Sequence, residues 1–208
     1  QVALADEIYA GYRRTLRDDR RVLLDRFRLV DEVRQVVGVG SVGTRAFIIL
    51  LQGRDQNDPL FLQVKEASAS VLEDHLPKSR YSEPGERVVQ GQRKMQAASD
   101  IFLGWTKGQE ADRHLYWRQL RDMKGSARVD TMTPTALTFY AQICGWTLAR
   151  AHARSGDAIA IASYLGAGDS FDRALASFAE AYADQNERDY DALREAVSSG
   201  RVASETGL

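Results

Sequence analysis

Cysteine is almost missing from this chain of 208 residues: Cys144 stands alone. An internal disulfide is therefore excluded, and a thiolate-based zinc site has too few ligands. Histidine is scarce too, and His75, His114 and His152 lie too far apart to suggest a histidine-built metal centre. There are only four prolines, and no apolar run approaches the roughly 18 residues that a membrane-spanning helix requires. No signal peptide opens the chain, so the expectation is a cytoplasmic protein with no membrane partner. Charge of one sign is also lacking: 28 basic against 29 acidic residues leave a formal net charge of −1. Nothing in that balance points to nucleic acid. Because the first residue is Gln1, the chain is expected to be an excerpt of a longer polypeptide.

What is present is a chain with 44% hydrophobic residues, enough for one domain or two small lobes. Leu4, Ile8, Tyr9, Tyr12 and Leu16 recur at helical spacing, which predicts an amphipathic helix from Val2 to Arg17. The cluster Val22 to Val30 suits either a helix turn or a short strand. From Val33 the pattern turns to β. Valines run into Gly38, Gly40 and Gly43, and Ala46 to Leu51 reads as a buried strand. A polar turn from Gly53 to Pro59 leads to a third strand, Leu60 to Glu66. Glu83 to Ser99 reads as a helix with Pro84 in its first turn and Arg93 and Lys94 near its end. Ile101 to Trp105 and Leu115 to Leu120 are two more strands. Thr133 to about Ala153, and Ala158 to about Gly200 with a break at Gly166-Ala167-Gly168, are helical. The order predicts an α+β fold with a mostly antiparallel five-stranded sheet. Three segments follow: a helical extension over 1–32, a sheet lobe over 33–125 and a helical part over 126–208.

Gly38-Val39-Gly40-Ser41-Val42-Gly43 has the spacing G-x-G-x-x-G. In a dinucleotide-binding fold those glycines open a helix. Here a strand precedes and a strand follows, so the loop is a hairpin of the kind that covers the phosphates of ATP in protein kinases. A glycine-rich turn with no ligand remains the alternative. Lys65, in Leu-Gln-Val-Lys, resembles the third-strand lysine that pairs the α- and β-phosphates. Alternation puts it on one face with Gln63 and Phe61, and Leu62 and Val64 on the other. Glu86, at the start of the following helix, is the candidate to orient Lys65, or else a first-turn charge that complements the helix dipole. Ser41 lies within the loop, with no nearby histidine to make it a nucleophile. Trp105, Trp117 and Trp146 read as core. The acidic series Glu180, Asp184, Glu187, Asp189 and Asp191 reads as a solvated helix face. His152 and Asp157 do not have the spacing of a His-Arg-Asp catalytic loop.

The stretches Val36 to Arg45, Asp58 to Ala67, Gly85 to Arg93, Gln119 to Ser126 and Leu148 to Asp157 together closely resemble a bacterial family catalogued as domain of unknown function 2252. The resemblance covers most of the chain and resembles that family's C-terminal half. It implies a protein-kinase-like small lobe with ATP and Mg²⁺ as cofactors. It also implies that a catalytic loop of the type Gly-Asp-x-His-x-x-Asn and a metal-binding Asp motif lie earlier in the family's chains. On that reading, Gly38, Gly40, Ser41, Gly43, Arg45, Lys65 and Glu86 hold a nucleotide or another anionic small molecule. The remaining N-terminal half of the same protein is the partner, and these 208 residues alone transfer no phosphate. Two positions depart from the kinase pattern. Arg45 stands two residues after the third glycine, where a base-packing valine is usual, and Gln63 stands where a small alanine is usual. Arg45 could instead meet phosphate oxygens with its guanidinium fork. The readings weighed are an ATP-dependent phosphotransferase lobe, a pseudokinase-like binding module and a purely structural lobe.

Overall fold

The computed structural model describes residues 2–35, 43–108, 113–121 and 125–205, and the side chains from residue 6 onward. The first helix, α1 (Val2–Thr15), is followed by α2 (Asp18–Leu24). The ambiguous Val22–Val30 cluster splits: Leu24 ends a helix, and Arg28 begins a strand. Strand β1 (Arg28–Gln35) thus starts five residues ahead of Val33, and the sequence boundary between 32 and 33 falls inside it. Next come β2 (Ala46–Gln52), β3 (Pro59–Ala67), a short 3-10 turn at Val71–Asp74, and α3 (Pro84–Met95). Then β4 (Gly104–Lys107), β5 (His114–Gln119) and α4 (Pro134–Ser155) complete a first compact unit, 1–156. A second unit, 157–208, contains α5 (Ala158–Leu165) and α6 (Ser170–Ser198). Asp157 caps α5, accepting the N–H groups of Ile159 and Ala160 at 3.0 Å each.

The fold is α+β, and its five strands form one antiparallel sheet in the order β1-β2-β3-β5-β4. Connections β1 to β2 and β2 to β3 join neighbours. The third, carrying α3, skips a position, and β5 inserts between β3 and β4. Side chains alternate across the strands, so the sheet has two distinct faces. One is apolar and meets α1. Leu51 and Leu62 are sealed there, with Val64 and Trp117 nearly so, together with Tyr9, Tyr12 and Leu16 of the helix. Tyr12 and Trp117 stack with ring centroids 4.4 Å apart and planes 9° apart. The Tyr12 hydroxyl donates to the Phe102 carbonyl at 2.7 Å, which satisfies the one polar atom this ring takes into the core. Gly104 makes that approach feasible: a Cβ there would stand 2.6 Å from the Tyr12 ring.

The opposite face receives α3. At Gly85 a Cβ would lie 2.5 Å from the Leu115 carbonyl, so the first turn of the helix rests almost on the strand backbone. Arg87 and Arg93 anchor the helix to main-chain carbonyls of Ser68 (2.9 Å) and Leu103 (2.6 Å). Among the three tryptophans read as core, Trp117 is core and Trp105 is half-buried, but Trp146 is 61% exposed on α4. Its ring carries the Arg150 guanidinium at 4.5 Å, a contact that periodicity does not reveal. Helix α4 is apolar on most of its circumference, and its helical spacing alone made Trp146 look inward. No helix among the described residues is long and apolar enough to cross a membrane.

Candidate functional site

The α3 side of the sheet carries the polar residues that an apolar core cannot hold. Register fixes which they are. Lys65 lies across from Ala46 on β2 and from Tyr116 on β5; Gln63 lies across from Ile48 and Arg118. Lys65, Gln63 and Phe61 therefore share one face, as alternation predicts, and Leu62 and Val64 face α1. Lys65 is half-buried. The turn just before β2 contains Gly43, whose φ of +85° lies in the left-handed region that glycine adopts without strain. Gly38, Gly40 and Ser41 lie outside the described residues. The third glycine and the lysine are thus brought to the same end of the sheet, the former leading into β2 and the latter on β3 one strand away.

Arg45 goes elsewhere. The count of two residues after Gly43 lands on Arg45, but the register gives Ala46, one residue later, the place across from Lys65. Arg45 projects to the other face and lies with Glu66. Its backbone N–H donates to one carboxylate oxygen at 2.9 Å, and its Nε is 3.9 Å from the other. Arg113 donates to that second oxygen at 3.0 Å. Glu66 is thereby held between two guanidinium groups at the end of the sheet. These residues, with Gly43, Thr44, Ala67, Ser68 and His114, line a hollow of about 300 Å³. The single-residue offset is the reason for the small residue: Ala46, not an arginine, backs the lysine.

Glu86 sits in the first turn of α3, half-buried. Among the described residues no ion pair joins it to Lys65. Its charge acts on Arg93 two turns along the helix, against the burial that lowers the Arg93 pKa. The carboxylate beside the start of α3 is Glu83: one oxygen lies 3.0 Å from Lys107 Nζ and the other 2.7 Å from His114 Nδ1. The sequence reading places Glu83 only at the start of a helix. Its partners come from two strands that follow in the chain, and no local spacing announces them.

A polar ladder crosses the same face. Gln63 is only 4% exposed, yet both ends of its amide are used. Its Nε2 donates to Gln35 Oε1 at 3.0 Å, and its Oε1 accepts from Arg118 Nε (3.0 Å) and Nη2 (2.7 Å). Three strands are tied by it, at β1, β3 and β5. The glutamine that departs from the kinase pattern is therefore a structural crosspiece. Gln35 and Arg118 were not singled out as its partners, because β5 reaches β3 only after the chain has gone around α3 and β4.

Compared with known proteins, residues 2–196 match the model of a family described as an uncharacterised protein conserved in bacteria, domain of unknown function 2252. No curated protein matches. No solved structure matches either.

Proposed function

The chain belongs to the domain of unknown function 2252 family, and from that premise we propose that its sheet lobe binds the phosphates of a nucleotide, as the small lobe of an ATP-dependent phosphotransferase. The observation that carries this reading is the placement of Lys65. It is half-buried on the third strand, across from a small residue, with the positive-φ glycine turn at the same end and a helix laid over the same face. An ammonium on the strand beside a glycine turn, at the same end of the sheet, is suited to the oxygens of a phosphate. Kinase small lobes use these parts in this order: glycine loop, lysine on the third strand, glutamate-bearing helix. In the proposed complex Gly43 leads the loop over the phosphates, Lys65 neutralises them, and Glu86 orients Lys65. Glu66 holds Arg45 at the edge of the site. The described residues contain no group of three or more metal-ligating side chains, and the resemblance puts the metal-binding Asp motif outside these 208 residues.

A second reading, a lobe that holds its anion without chemistry, draws on Gln63. An alanine at that place would leave room beneath a base. Here a buried amide, locked by Gln35 and Arg118, fills it.

Thermal titration with ATP, with and without Mg²⁺, tests binding. Ligand that binds only the folded chain raises the melting midpoint by mass action. The expected result is a saturable rise that Lys65→Met removes. A rise unchanged in that variant overturns the placement of the phosphates. Transfer of labelled phosphate from ATP, or its absence, then separates the two readings.

A further inference from the structure

One cation on the α3 side of the sheet, Arg118, has no carboxylate partner among the described residues. Arg118 is half-buried, and its Nε and Nη2 groups both donate to the neutral Gln63 amide. Among the described residues no carboxylate lies within ion-pair distance of it. Removing a guanidinium from water without an anionic partner is costly, and an anion from outside would offset that cost. The fork that points at Gln63 leaves the Nη1–Nη2 end of the guanidinium available for a second pair of hydrogen bonds.

Arg118 also lines a cavity of about 130 Å³ between the last turns of α3 and the end of β5, together with Gln92, Gln96, Asp100, Gln119 and Arg121. Liquid water occupies about 30 Å³ per molecule, so the space suits a group of four or five heavy atoms. Asp100 is the one acid in the lining among the described residues. Its Oδ1 accepts the Phe102 N–H and its Oδ2 the Gln119 N–H, so the backbone already engages both oxygens. Two guanidinium groups and three glutamines complete the described lining.

We propose that this cavity is an oxyanion site, in which the outer end of Arg118, aided by Arg121, holds a phosphate or carboxylate group. It is offset from Lys65 along the sheet, because Arg118 stands across from Gln63 and Lys65 across from Tyr116, two residues away. It does not depend on the nucleotide reading. Gln92 and Gln96 supply amide N–H donors to the oxygens that Arg118 does not reach. The ligand is either a free small anion or the acidic terminus of a larger molecule, and the chemistry of recognition is the same.

The probe is inorganic phosphate, titrated at constant ionic strength against sodium chloride and read by melting midpoint and by calorimetry. At tenfold its Kd the expected rise is about 3–5 °C for a chain of this length. Gln96→Glu puts a competing carboxylate at the mouth of the cavity, and Arg118→Met removes the fork; either is expected to weaken phosphate at least tenfold. Lys65→Met is expected to leave the phosphate response intact, so this result and that of the nucleotide titration fail independently. Should Arg118→Met not fold, Gln96→Glu and Arg121→Gln decide. No saturable response beyond chloride overturns the proposal, as does one that survives Gln96→Glu or disappears with Lys65→Met. Phenyl phosphate binding more tightly than phosphate supports the site as one for the terminus of a larger ligand; equal or weaker binding supports a free ion.

Discussion

Tyr12 lies flat against Trp117, with ring centroids 4.4 Å apart, and this one contact fastens α1 to the middle of the sheet. Both rings are almost wholly buried. Replacing Tyr12 by alanine removes the stack, a large apolar area and the hydrogen bond to Phe102. The expected loss is about 3–5 kcal/mol. Tyr12→Phe keeps the ring and loses only the hydrogen bond, at about 1 kcal/mol. Urea denaturation of the two variants checks the ratio.

Alkaline pH acts on the same cluster. Burial raises the Tyr9 pKa to about 12 and pushes that of Tyr12 well above its ordinary value. The unfolded chain ionises these phenols near pH 10, before the folded one does. Their contribution to stability is therefore whole below about pH 10 and is lost as pH climbs through the folded values. The melting midpoint is expected to fall between about pH 10 and 12. Tyr9→Phe should lessen that fall. The Tyr9 hydroxyl is buried without a hydrogen-bond partner among the described residues, so this variant should cost nothing near neutrality.

The two cations picked out near the glycine loop are expected to behave differently, since the register sends them to opposite faces. Lys65→Met should abolish a nucleotide-induced rise in midpoint. Arg45→Met should leave most of it, because Glu66 already engages that arginine. Equal losses in the two variants would contradict the face assignment.

Gln63→Leu tests the crosspiece. Leucine cannot accept from Arg118, and the half-buried guanidinium then loses both of its hydrogen bonds. A cost of about 1–3 kcal/mol is expected by chemical denaturation. The double variant Gln63→Leu with Arg118→Met should recover part of it, because the stranded charge is gone.

Much of the strand and helix order was legible because its signals are local. The β-branched run at Ala46 to Leu51, the alternation around Lys65 and the proline at the start of α3 each declare themselves within a few residues. The start of β1 was legible only as one of two alternatives, a short strand at Arg28 to Val30, since Arg28 to Glu32 carries three charges on a strand that is largely exposed. At the site, the face shared by Lys65 and Gln63 followed from alternation. The offset that gives Ala46 the place expected of Arg45 did not, because one residue in a turn shifts a register without altering composition. The Gln35–Gln63–Arg118 ladder was beyond reach for a different reason: its members are 28 and 55 residues from Gln63.

Helix α3 grips the chain through peptide groups just past the end of β3 and just before β4. Arg87 binds the carbonyl of residue 68 and Arg93 that of residue 103, and every amino acid offers such an oxygen. Substitution at those two recipients keeps the acceptor whatever side chain arrives. Change at either arginine removes the donor outright. Drift is thus expected to be tolerated at one end of each tether and punished at the other.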